Sequence, residues 1–230
     1  MFAHLQIPYR RERLAVGLAD AGLSAVTTLG WPRTARAEAG AAPRRILLLR
    51  LERVGDLLMV LEPIAMVRSL APGAQIDLVV GSWNAALAHL IPGADSVELL
   101  DVPWMARQGR GVSWTDLVRR ARSWAQRDYD LAINFEPDIR SNLLVALSGA
   151  RRRVGFVSGG GGAVLTDAVV PDPRAHIAEN ARALVQRAFR CQRQRVGRNH
   201  DPGAQRRALG VGKLRGFHAA WSPYEASNAG

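Results

Sequence analysis

The sequence predicts an α/β fold built on a parallel sheet with crossover helices. Ile46, Leu47, Leu48 and Leu49 form a short continuous apolar run, the pattern of a strand buried on both faces. From Pro43 to Phe189, short apolar runs alternate with longer helical patterns. Gly- and Pro-bearing stops such as Ala71-Pro72-Gly73-Ala74 separate them.

Residues 44–63 anchor this pattern. Strand 45–49 turns polar at Arg50, Glu52 and Arg53, then reaches Gly55-Asp56 and a second apolar segment. Gly55 supplies a permissive turn backbone, and Asp56 opens a helix expected over 56–70. Pro63 falls too late in that segment to be a first-turn proline. Ligands gather at the carboxyl ends of parallel strands, where this turn lies. Asp56 therefore has two readings: a helix N-cap, for which Asp is favoured, or a carboxylate placed for chemistry.

The remaining elements follow in order. Strand 75–80 leads through Gly81-Ser82-Trp83-Asn84 to helix 85–90, with Ser82 or Asn84 as its cap. Ile91-Pro92-Gly93-Ala94 breaks that helix, and strand 96–100 follows. Pro103-Trp104 opens a loop that runs to Gly111. Ser113-Trp114-Thr115-Asp116 caps a helix through about residue 126. Strand 130–135, the turn Glu136-Pro137-Asp138, helix 139–147 and strand 153–157 complete the regular part. Residues 159–162 are four glycines, expected as a flexible loop. They lack the strand-loop-helix context of a dinucleotide fingerprint. A short strand at 165–170 and an amphipathic helix over 175–189 close the domain.

The organisation has three parts. Residues 1–42 form an amino-terminal extension, with Arg10-Arg11-Glu12-Arg13 ahead of an apolar stretch that Asp20 interrupts. It is too short and too broken to span a bilayer. It reads as a helix at a membrane surface or as one packed on its own domain, with a cleaved signal as a third reading. Residues 43–190 form the α/β domain. Residues 191–230 form a basic tail of weak periodicity, with seven Arg or Lys against two acids and no second core.

The whole chain has 230 residues and a formal net charge of +11, with Lys213 its only lysine. Such a balance favours phosphate-bearing partners. No nucleic-acid motif or basic-aromatic interleaving points to DNA or RNA, and an anionic membrane surface or a phosphorylated acceptor fits at least as well. A single cysteine, Cys191, excludes an intrachain disulfide framework and suits a reducing compartment. No His/Cys cluster has metal-ligand spacing. A nicotinamide-dependent enzyme is disfavoured, because the first strand-helix turn has one glycine where the dinucleotide fingerprint has three.

Residues 46–87, ILLLRLERVGDLLMVLEPIAMVRSLAPGAQIDLVVGSWNAAL, resemble the amino-terminal domain of glycosyltransferase family 9, the heptosyltransferases of lipopolysaccharide assembly and their relatives. Further matches are Tyr129-Asp130-Leu131-Ala132-Ile133-Asn134, Arg140-Ser141-Asn142, Arg153-Val154-Gly155-Phe156 and His176 with Glu179-Asn180. The resemblance implies a Rossmann-like sheet with flanking helices, the amino-terminal half of a GT-B glycosyltransferase. It also implies transfer from a nucleotide-sugar such as ADP-heptose to a lipopolysaccharide-like or other cell-surface glycan, with no metal. It makes Asp56 the general base, and Arg53, Gly55, Arg140 and Ser141 acceptor-binding candidates. Arginine at 140 stands where the family often has lysine, and Glu136-Pro137 stands where some members have Gln-Gly. A carboxylate there disfavours an anionic sugar-acid acceptor. The resemblance places such a protein in the cytoplasm, peripheral to the inner face of the membrane. The carboxy-terminal donor domain has no counterpart in residues 191–230, so truncation or a frameshift, and little activity alone, is expected. The alternative is a non-catalytic Rossmann-like module that binds an anionic membrane or glycan.

Overall fold

The computed structural model describes residues 16–18, 20–24, 42–106 and 111–198, with side chains as far as Arg190. Six strands make one sheet: β1 (Arg45–Arg50), β2 (Gln75–Val80), β3 (Ser96–Leu99), β4 (Leu131–Asn134), β5 (Arg152–Phe156) and β6 (Asp167–Val169). All pairings are parallel, in the order β3-β2-β1-β4-β5-β6. The direction of winding reverses between β1 and β4, so the crevice at their carboxyl ends is the topological switch point.

The helices are α1 (Val54–Leu58), α2 (Leu61–Leu70), α3 (Ala85–Ala88), α4 (Trp114–Ser123), α5 (Ile139–Leu147) and α6 (Ile177–Arg198). They cover both faces of the sheet. Ile46 and Leu48 point to one face, where Ile64 and Val67 of α2 meet Leu184 and Val185 of α6. Leu47 and Leu49 point to the other, against Leu117 and Ala121 of α4 and Leu144 and Val145 of α5. All four β1 side chains are fully buried, each worth about 1.5–3 kcal/mol of apolar transfer. That double burial is why the run is continuous rather than alternating.

Several expectations change. The single helix expected over 56–70 is two helices, broken at Met59 and Val60. Pro63 explains the break. Deep inside one long helix it would remove a backbone bond and clash with the preceding turn. As the third residue of α2 it lies among the N–H positions that have no intrahelical partner. Asp56 is not the N-cap of α1. Arg53 holds that position without a side-chain bond, and Asp56 is the third helical residue. Gly55 lies within α1, so it is not a turn glycine. Asn84 stands at the N-cap position of α3, but its side chain makes no cap bond; its amide donates to the Glu52 carbonyl (2.6 Å). The cap of α4 is Ser113, as expected. Asp138 caps α5, accepting from the Arg140 N–H (2.7 Å).

The glycine run does not behave as a loose loop either. A Cβ on Gly159 would stand 1.8 Å from the Pro137 carbonyl oxygen, and the Ile139 N–H donates to the Gly159 carbonyl (3.1 Å). Gly160 and Gly161 have φ of 88° and 77°, a region that glycine adopts without strain. The Gly161 N–H donates to the Asp20 carboxylate (2.7 Å), so the described part of the amino-terminal extension touches the domain. The tail beyond Arg198 lies outside the described residues.

Candidate functional site

The carboxyl end of β1 carries the densest polar cluster on the switch-point side, and Arg50 is its centre. An arginine that ends an apolar strand must find partners, since an unpaired buried charge is very costly. Arg50 is 2% exposed. Its Nη1 donates to the Phe135 carbonyl (2.7 Å), and its Nε donates to the Asp56 carbonyl (3.2 Å). Its Nη2 lies 3.1 Å from a Glu52 carboxylate oxygen and 3.5 Å from Asp56 Oδ1. Glu136 Oε1 lies 3.8 Å from Nη1.

Glu136 is also buried, and it organises the turn. Its Oε1 accepts from the Leu51 N–H (2.6 Å) and the Glu52 N–H (3.1 Å). Burial pushes its carboxyl above the ordinary value. The Arg50 charge opposes this, and so do the two backbone donors, while Glu52 reinforces it. The Glu52 carbonyl in turn accepts from Trp83 Nε1 (2.8 Å) and from Asn84. The β1–α1 turn is thus held from three sides, by β4, by α1 itself and by the β2–α3 turn.

Asp56 and Glu52 differ from the buried Glu136: each side chain is 34% exposed and meets the cluster through an Arg50 ion pair. Asp56 is the one of the two that stands on α1, after the turn. One carboxylate edge meets a fixed cation, and the rest faces solvent at the switch point. Such a group can accept a proton from something bound there. Arg53 is exposed on the same turn, its carbonyl accepting from the Leu57 N–H (3.0 Å), and among the described residues its side chain makes no ion pair or hydrogen bond. A methyl group on Gly55 would meet nothing within 4 Å, so the space beside Asp56 is open.

Arg140 and Ser141 are placed differently. Ser141 is buried, accepts from the Asn134 amide (2.9 Å) and donates to the Asp138 carbonyl (2.8 Å). It joins the start of α5 to the end of β4 and does not face the open space. Asn134 and Asn142 extend the same network, Asn142 donating to the carbonyls of Phe156 and Gly160. Arg140 stays at the rim, but its charge is already engaged. Its Nε and Nη2 fork onto the Asp138 carboxylate at 3.0 and 2.6 Å. Its guanidinium carbon lies 4.6 Å from the centre of the Trp104 ring.

The sequence reading missed Arg50, Glu136 and Asp138 as site-building residues. A usable signal existed for Arg50, a charged residue at the end of an otherwise apolar strand. For Glu136 there was none, because its contacts lie 84 and 85 residues away. Among the described residues no group of three His, Cys, Asp or Glu side chains could hold a metal ion. No described helix is long and apolar enough to cross a membrane.

No family model matches the chain, and no curated protein matches it by sequence. Solved structures do. E. coli ADP-heptose lps heptosyltransferase II is similar with a TM-score of 0.53 and 21% identity, over 61% of this chain and 40% of that one. E. coli heptosyltransferase WaaC with ADP-2-deoxy-2-fluoro heptose gives 0.52 and 17%, over 63% and 48%. A glycosyl transferase family 9 structure from Veillonella parvula gives 0.55 and 19%, over 68% and 43%. The match spans less than half the length of each of these chains. At such identities the likeness is one of fold: a Rossmann-like α/β sheet matching part of a glycosyltransferase.

Proposed function

We propose that this domain is the acceptor-side half of a glycosyltransferase, with Asp56 as its general base. The observation that carries the reading is the position of Asp56, part-exposed at the β1/β4 switch point and backed by the buried Arg50. The fold likeness to heptosyltransferases supports it. In the reaction, an acceptor hydroxyl attacks the anomeric carbon of a nucleotide-sugar. The new C–O bond forms as the bond to the diphosphate breaks on the opposite face, so the configuration inverts. Asp56 takes the hydroxyl proton, and the nucleoside diphosphate leaves with the bonding electrons. Arg50 keeps the Asp56 carboxylate oriented without covering it.

Arg53 is proposed to meet a phosphate of the acceptor or donor, and Gly55 to let the acceptor approach the backbone closely. An ADP-sugar donor, a lipopolysaccharide-like glycolipid acceptor and a place at the inner face of the cytoplasmic membrane complete the proposal. No metal ion is needed in it. The donor diphosphate would be held by a second domain, and this domain alone would turn over slowly or not at all.

The test is nucleoside diphosphate release from a panel of nucleotide-sugars with extracted envelope glycolipid, for the protein and its Asp56→Asn variant. Donor-domain protein from a structural neighbour is added in a second arm. Release that needs acceptor and falls about 10²–10⁴-fold in the variant supports the reading. Release indifferent to the variant, or no binding of any nucleotide-sugar or glycolipid in either arm, defeats it.

A further inference from the structure

A second feature occupies the same rim. Trp104, in the loop after β3, and Trp114, the first residue of α4, stack with ring centroids 5.5 Å apart and planes at 25°. Trp104 is half-buried against the core, whereas Trp114 is 57% exposed. The pair leaves the Trp114 ring largely in water, a flat apolar surface, while Trp104 is packed between its neighbours. The Arg140–Asp138 fork lies against the Trp104 face. Asp138 follows Glu136 by two residues, at most about 7 Å of chain. Glu136 holds the turn that carries Asp56. The indole pair and Asp56 therefore both lie on the side of the sheet where β1 and β4 end.

We propose that the Trp104–Trp114 pair, with Asp138 and Arg140 at its edge, is a saccharide platform that takes an uncharged pyranose ring rather than a sugar acid. Its place as the acceptor subsite rests on the glycosyltransferase reading given above. A pyranose has an apolar face of C–H groups and a perimeter of hydroxyls. The face matches an exposed indole, and the perimeter needs both donors and acceptors. Asp138 accepts and Arg140 donates.

Charge decides the class of ring. Among the described residues Arg140 is the cation touching the platform, and Asp138 already takes it in a bidentate fork. A sugar carboxylate would have to displace Asp138 from that fork. Arg53 stands on the β1–α1 turn, apart from this ion pair, and stays available for a phosphate. An uncharged ring meets no such penalty.

The test is saturation-transfer NMR and calorimetric titration of the protein with methyl β-D-glucopyranoside, methyl β-D-galactopyranoside and D-glucuronate. The expected result is binding of an uncharged glycoside, with saturation on its ring C–H protons, and weaker binding of glucuronate. Trp114→Ala should weaken the glycoside by about fivefold or more, the size of one lost aromatic contact. Asp138→Asn keeps a residue able to cap α5 and frees Arg140, so glucuronate should then bind at least as well as the glycoside. Three results would overturn the platform: preference for glucuronate by the unmodified protein, unchanged binding in Trp114→Ala, or binding of neither sugar class. The two proposals fail separately. Asp56-dependent turnover with unchanged acceptor KM in Trp114→Ala removes the platform and leaves the transferase. Trp114-dependent sugar binding without turnover in either arm of the release assay does the reverse.

Discussion

Two carboxylate–arginine clusters sit at opposite ends of the sheet, built from the same kinds of residue. Near the amino ends of the strands, Asp77 accepts from Ser96 Oγ (2.6 Å), the Tyr129 hydroxyl (2.5 Å) and Arg127 Nη1 (3.3 Å). Glu98 beside it accepts from Trp124 Nε1 and Arg127 Nη2. At the carboxyl end of β1, Arg50 gathers Glu52, Asp56 and Glu136. In the first cluster the acid is 7% exposed and the protein supplies its donors. In the second the arginine is engaged on all three nitrogens, and two of its acids, Glu52 and Asp56, are each left a third open to solvent. The difference lies in which partner is finished. A satisfied acid with a half-exposed arginine fixes structure. A satisfied arginine with a half-exposed acid holds a reactive group still while leaving it reachable.

Substitutions can break or sharpen that contrast. The largest stability effect is expected from Arg50→Met. It strands the buried Glu136 and the Phe135 and Asp56 carbonyls, at about 3–5 kcal/mol. Denaturant unfolding would measure it, and a loss below about 1 kcal/mol would mean that the cluster does not hold the β1–α1 turn. Tyr129→Phe is expected to cost less, about 1–3 kcal/mol, because it removes one buried donor from Asp77 and leaves Ser96 and Arg127.

The acid of the first cluster should also carry a pH signature. Burial alone raises the Asp77 carboxyl, but the hydrogen bonds from Ser96 and Tyr129 and the Arg127 charge outweigh it. They hold the group below the ordinary 3.8. A depressed folded-state value means stability that is present above the unfolded value and lost as pH falls through the folded one. The stability gap between the protein and Asp77→Asn should therefore be constant at neutral pH and close below about pH 3.8. A gap that persists unchanged into that acid range would show that Asp77 is not ionised in the fold.

The contrast was only half legible in the sequence. The parallel α/β class could be anticipated because short apolar runs alternate with helical patterns, and Asp56 could be singled out by its place after β1. Ser113 as a cap was readable from four residues. Arg50 looked like the point where an apolar run turns polar, and Glu136 like a departure from a family pattern. Each acquires its role only through a partner about 85 residues away. The helix break at Val60 was hidden for the opposite reason. Pro63 was visible, but the repair needs the chain to restart a helix two residues earlier. Ser141 stood in a recognisable motif, yet the packing of α5 on β4 turned its hydroxyl inward.

The smallest stability effect belongs to Asp56→Asn, and the comparison depends on it most. Removing that charge takes one 3.5 Å ion pair from an arginine that keeps Glu52, Glu136 and the Phe135 carbonyl. For a carboxylate one-third exposed, the loss should be no more than about 1 kcal/mol. The asparagine fits the same space, so the circular dichroism spectrum and unfolding cooperativity should be unchanged. A larger loss, approaching that of Arg50→Met, would mean that Asp56 is a structural partner of the Asp77 kind. Its exposure would then be incidental, and the general-base role would lose its physical basis even if the variant were inactive, because inactivity would follow from a damaged turn. A small loss removes that explanation. Any fall in turnover would then come from the chemistry of the carboxylate itself.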